Sequence, residues 1–201
     1  MLNLKRLSLT TAMIVSIGLL TACGDDDNDL TTTIIPDTNP DKGDSCFWGG
    51  PYSIDNPDSN FAYPDTGATY WHAKYSLPKN ATLRLKGEYP FARYMSFNSY
   101  RQDTSPAFAL KDKDIIANMD AINPFVQGAQ RNSNKRGYQI EVTNGEAPII
   151  PLNNTLYDYA QDNGKSLLLY RVYVPNKGKD STGGVGLPTP ELTLSTGQVL
   201  T

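Results

Sequence analysis

A chain of 201 residues with 18 Lys and Arg against 21 Asp and Glu carries a formal charge of −3, so it lacks the basic excess on which nucleic-acid binding depends. One histidine, His72, and two cysteines, Cys23 and Cys46, exclude a multi-histidine metal site and a disulfide framework. The length suits one domain, which can bury roughly two-thirds of its unfolded surface without covalent staples.

At the start of the chain, Lys5 and Arg6 precede an apolar run that ends at Leu20 and is followed by the small residues Thr21 and Ala22. The run falls short of the ~20 residues that a membrane-spanning helix needs, and it reads as a secretory signal peptide over residues 1–22. Leu20-Thr21-Ala22-Cys23 resembles the lipobox of bacterial lipoproteins. That resemblance implies lipidation of Cys23 on sulfur, a new N-terminus at that residue, and an extracytoplasmic protein held to the cell membrane or outer membrane by lipid. A buried methylene contributes about 0.8 kcal/mol, so stable anchoring takes more than one acyl chain. Removal of the leader takes Lys5 and Arg6 with it and shifts the formal charge to −5.

Residues 23–45 read as an acidic, flexible tether. Asp25, Asp26, Asp27 and Asp29 repel one another, and the apolar pair Ile34-Ile35 buries too little to offset roughly 1–2 kcal/mol of backbone ordering per residue. Asp37, Asn39 and Asp41 have the alternating oxygens that begin a calcium loop, but Lys42 stands where glycine is needed and Trp48 where the bidentate glutamate is needed. No metal site is expected. Cys46, left without a partner within the chain once Cys23 is lipidated, reads as a small buried residue, with a free reactive thiol or a bond to another molecule as the alternatives.

Residues 46–201 read as a β-domain. Residues 81–86 and 138–143 alternate apolar with polar side chains, the pattern of strands with one buried and one wet face, and such strands pair antiparallel. Residues 70–76, 93–100 and 167–174 are rich in aromatic and branched side chains, and the last of these is apolar on both faces, as a central strand would be. Turn signals separate them at Pro78-Lys79-Asn80, Asn144-Gly145 and Asn163-Gly164. Only residues 111–119 and 155–161 have room for short helices. The expected architecture is all-β, an antiparallel β-sandwich or jelly roll with short helical insertions.

The stretch from Tyr89 through Tyr94 to Tyr100, Asn123-Pro124-Phe125, Arg171-Val172-Tyr173-Val174-Pro175 and Gly183-Gly184-Val185-Gly186-Leu187-Pro188 are similar to bacterial secreted β-rich domains of unknown function. The resemblance implies a fold class and brings no functional residues with it. The last residues, 196–201, stop just after a turn where another strand would begin, so the domain is expected to be C-terminally incomplete.

No catalytic constellation emerges. A Ser-His-Asp triad needs only one histidine, but no Gly-x-Ser-x-Gly elbow is present. Gly178-Lys179 is cut off from Ser181-Thr182 by Asp180, which breaks the phosphate-loop order. Glycoside hydrolysis needs two carboxyl groups across a cleft, and of the four glutamates only Glu88 adjoins an aromatic strand. The run Lys111-Asp112-Lys113-Asp114 reads as a solvated loop or helix start. No catalytic residue and no cofactor is assigned.

The nearest approach to a binding constellation is the aromatic and amide-rich stretch between Phe47 and Trp71. Aromatic faces stack on sugars or ligand rings while amides fix orientation, so Trp48, Tyr52, Tyr63, Trp71 and His72 are the candidate ligand-binding residues, for a carbohydrate or small molecule. Against this, tyrosines in β-domains commonly fill strand faces with their hydroxyls at the water boundary. On an extended segment His72 shares a face with Tyr70 and Lys74, while Trp71, Ala73 and Tyr75 point the other way, which also suits Trp71 to a core. Trp48 and Tyr63, in Gly/Pro/Asp-rich segments, are expected near the surface. The function read from the sequence is a lipid-anchored envelope module that binds or serves structurally; the alternative is a secreted β-sandwich enzyme such as a carbohydrate-active hydrolase.

Overall fold

In the computed structural model, residues 47–54, 65–159 and 164–201 are described. The leader, the lipobox Cys23, the tether, Cys46 and Tyr63 lie outside the described residues. Among those described, no helix is long and apolar enough to cross a membrane.

The alternating segments form strands, and the strands form two sheets. One sheet has the order β1-β2-β8-β4-β5, built from β1 (Gly49–Tyr52), β2 (Ala68–Ser76), β8 (Lys165–Pro175), β4 (Ala92–Tyr100) and β5 (Pro106–Lys111). The other has the order β10-β9-β3-β6-β7, from β10 (Val199–Leu200), β9 (Thr189–Thr193), β3 (Thr82–Glu88), β6 (Gly137–Thr143) and β7 (Thr155–Tyr157). The chain is therefore an all-β sandwich, as its period-2 patterning requires.

Alternate side chains of the longer strands enter one core. Trp71 and Ala73 of β2, Met95 and Phe97 of β4, and Leu168, Tyr170 and Val172 of β8 cluster with Leu83, Leu85, Ile140, Val142 and Leu156 from the second sheet. Phe97 links the layers, stacked on Tyr170 at 4.9 Å and edge-on to Tyr138 at 6.1 Å. β8 is the central strand of its sheet, paired with β2 over Lys165 to Tyr173 and with β4 over Leu167 to Pro175. Only one of its faces is fully buried, through Ser166, Leu168, Tyr170 and Val172; Leu167, Leu169, Arg171 and Tyr173 on the other are half-buried.

Two local expectations are corrected. Residues 155–161 do not begin a helix: β7 runs parallel to β6, with Leu156 opposite Val142. Long-range bonds hold this segment extended, the Asn154 amide donating to the carbonyls of Ile116 and Gln139, and the buried Asp158 carboxylate accepting from Ser166 and Tyr75. In residues 111–119 helix is limited to one 3-10 turn, Asp112–Asp114. Asp112 is not solvated but 6% exposed, its carboxylate accepting from the backbone N–H groups of Met95 and Lys113, which ties the turn to β4. Burial raises the Asp112 carboxyl above its ordinary value, against the lowering effect of those two N–H groups.

Candidate ligand-binding site

The outward side chains of the first sheet fall in rows across the strands. One row sets Tyr52 opposite Tyr70, Tyr70 opposite Arg171, Arg171 opposite Ser96, and Ser96 opposite Lys111. The neighbouring rows place His72 beside Leu169 and Asn98, and Tyr173 beside Tyr94. Strands from distant parts of the chain thus assemble a face of tyrosine rings around one guanidinium.

Arg171 is half-buried. Its Cζ lies 5.5 Å from the Tyr94 ring centroid and 5.8 Å from that of Tyr70, and its Nε donates to the Ser96 hydroxyl at 3.4 Å. Burial disfavours the charge on Arg171, but hydrogen bonding and electrostatic interaction with Tyr70 and Tyr94 outweigh it and hold the group above its ordinary value. The Tyr100 phenol is raised by burial, an effect Arg171 partly offsets. The face therefore sets a guanidinium among phenol groups that can both donate and accept hydrogen bonds.

Charge is segregated by sheet. The five strands of this sheet contain no Asp or Glu, yet they hold Lys74, Arg93, Lys111, Lys165 and Arg171. Of these, Lys74, Lys111, Lys165 and Arg171 share the outward parity, while Arg93 is in phase with the inward Met95 and Phe97.

The sequence located one edge of this face. Tyr52 and His72 are both on it, half-buried, with ring centroids 5.4 Å apart. The His72 ring lies against β1 at Gly49, where a Cβ would stand 2.3 Å from His72 Cε1, so only glycine admits this packing. Trp48 and Trp71 do not belong to the face. Each is 3% exposed: Trp71 points inward by strand alternation, and Trp48 is held in the core by an Nε1 bond to the Pro188 carbonyl at 2.7 Å and by packing on Phe47 and Tyr170. The expectation that Trp48 stays near the surface is thereby corrected: pairing of β1 with β2 carries it to Pro188, just before β9, where its indole N–H is satisfied. Tyr94, Arg171 and Tyr173 were missed as site residues, although Arg171-Val172-Tyr173 in a strand, with Val172 inward, places Arg171 and Tyr173 on one face.

Among the described residues no group of three or more His, Cys, Asp or Glu is placed to hold a metal ion. No protein-family model and no curated protein matches the chain. Among solved structures, an uncharacterized protein from Burkholderia cenocepacia is similar at a TM-score of 0.45 and 12% identity, over 76% of this chain and 36% of that one. The chain thus spans about a third of the length of that protein, and at this TM-score the likeness carries no argument about function.

Proposed function

We propose that the protein is a lipid-anchored extracytoplasmic binding module whose first sheet presents an outward face for an acidic saccharide. The observation that carries this reading is Arg171, framed by Tyr70 and Tyr94 on a sheet whose strands contain no carboxylate. Tyrosine rings stack on the apolar faces of pyranoses, hydroxyls and Asn98 bond to sugar hydroxyls, and the guanidinium fork matches a carboxylate. The anchor is supported by Leu20-Thr21-Ala22-Cys23, and the acidic tether beyond it would hold the domain off the bilayer.

Calorimetric titration of the full chain in detergent with acidic and neutral oligosaccharides of equal length tests the binding reading. Acidic chains are expected to bind at least tenfold more tightly, with Arg171→Met abolishing that preference and Arg171→Lys retaining part of it. Equal affinity for both, or none for either, overturns it. Cys23→Ser tests the anchor separately: acyl labelling should vanish and the protein should leave the membrane fraction.

A further inference from the structure

A second cationic feature lies where β4 begins and β8 ends. A cleft of about 110 Å³ is lined there by Arg131 and Arg136, by Asn132 and Asn176, and by the rings of Phe91 and Phe125. Arg136 is 3% exposed and forms part of the frame. Its Nε donates to the Tyr89 carbonyl, and its terminal nitrogens donate to the carbonyls of Pro90 at 2.9 Å and Ser133 at 3.0 Å. Its Cζ sits 3.6 Å above the Phe91 ring, while Lys179 Nζ lies 4.6 Å from the same ring. Gly183 closes this packing: it stands at φ +71°, and a Cβ there would come within 2.6 Å of Pro90 Cβ.

Among the described residues the Arg136 hydrogen bonds all go to neutral carbonyls, and Glu88 acts on its charge without a direct hydrogen bond to it. Burial lowers the Arg136 pKa, Glu88 works against that, and the charge of Arg131 adds to the lowering. Two guanidinium groups near one cleft with no acid among its lining residues is an unbalanced arrangement, and a bound anion would balance it. Arg131 is exposed and donates to the Ala92 carbonyl at 3.2 Å, which accounts for one of the five donors of its planar fork.

We infer that this cleft is a binding site for a small carboxylate, held bidentately by Arg131 over the Phe125 wall and oriented by the Asn132 and Asn176 amides. The volume is well below the roughly 300–1,000 Å³ of a drug-sized ligand pocket, so it suits a carboxylate with few further atoms. The site stands on different residues from the Arg171 face and does not depend on it.

Acetate is the probe. Titrated into the isotope-labelled protein against chloride at matched ionic strength, acetate should give saturable shifts at the Asn132 and Asn176 side-chain amides and at Arg131 Nε–H. Chloride should not. Arg131→Gln, on an exposed side chain, should leave the melting temperature unchanged and weaken acetate at least tenfold, whereas Arg171→Met should leave acetate binding intact. A linear, non-saturating response, shifts reproduced by chloride, or undiminished binding in Arg131→Gln each overturns the assignment. Tighter binding of phosphate than of acetate overturns the choice of a carboxylate.

Discussion

The two outer faces of the sandwich occupy equivalent positions and solve the problem of facing water differently. On the second sheet the outward charges cancel: Arg84 pairs with Glu141 at 3.5 Å and lies in register with Glu191, which accepts from Lys86 at 2.5 Å. On the first sheet the outward cation, Arg171, meets two tyrosine rings and a serine hydroxyl, and no acid lies on any strand of that sheet. A self-neutralised face makes little electrostatic demand on a partner; a half-buried guanidinium with no carboxylate on the strands around it makes a larger one. The first arrangement suffices for solubility, and the second is the one on which the proposed binding reading rests.

That contrast requires the tyrosines of the first sheet to be expendable for folding while their inward neighbours are not. Phe97→Ala should lower stability by about 3–5 kcal/mol, because it removes the ring that joins Tyr138 and Tyr170 across the layers. Tyr94→Ala, on the outward side of the same strand, should cost well under half as much in denaturant melts. Equal losses would mean that Tyr94 belongs to a core, and the comparison would fail.

Two aspartates carry a pH version of the test. Asp112 is buried with its carboxyl raised by that burial, so its favourable contribution is complete below the ordinary carboxylate value and is lost as pH rises through the raised native value. Asp180, exposed, is held low chiefly by the Thr182 hydroxyl and also by the Gly184 N–H, so its contribution is present above the ordinary value and is lost as pH falls through the lowered native one. Measured between about pH 3 and 6, wild type should lose ground to Asp112→Asn as pH rises and gain ground on Asp180→Asn. A common sign for both would break the assignment of one interior and one surface carboxylate.

The smallest effect is expected where the charges already cancel. A double-mutant cycle on Lys86 and Glu191 should return a coupling of about 0.2–1 kcal/mol that shrinks in salt, since both side chains reach solvent. A coupling that salt leaves untouched would show the second sheet to be more than a solvated face.

Much of the fold was legible because a strand with one buried face writes its orientation into alternate residues. Residues 81–86, 138–143 and 167–174 all became strands near those bounds, the last one central, and the inward-outward division of Trp71, Ala73, Tyr70 and His72 followed from the same period. The helical expectation for residues 155–161 did not survive in 155–159, the part that is described, because Asn154 and Asp158 find partners on other strands and on the Ile116 segment, up to 83 residues away, and local propensity cannot see them. Trp48 was misplaced for a related reason: its indole is buried by a carbonyl 140 residues away.

What the sequence by itself determined was therefore the class of the fold, which residues of the long alternating strands β2, β3 and β6 face inward, and one edge of the aromatic face, Tyr52 and His72. All of these are properties of contiguous residues, set by side-chain alternation and turn chemistry. Only the tertiary structure decided which strands are neighbours, and so only it set Tyr70 and Tyr94 about Arg171 and brought the segment of Arg131 and Arg136 against the start of β4. Pairing order depends on how two whole sheets bury their apolar faces together, a global minimum that no local window of residues encodes.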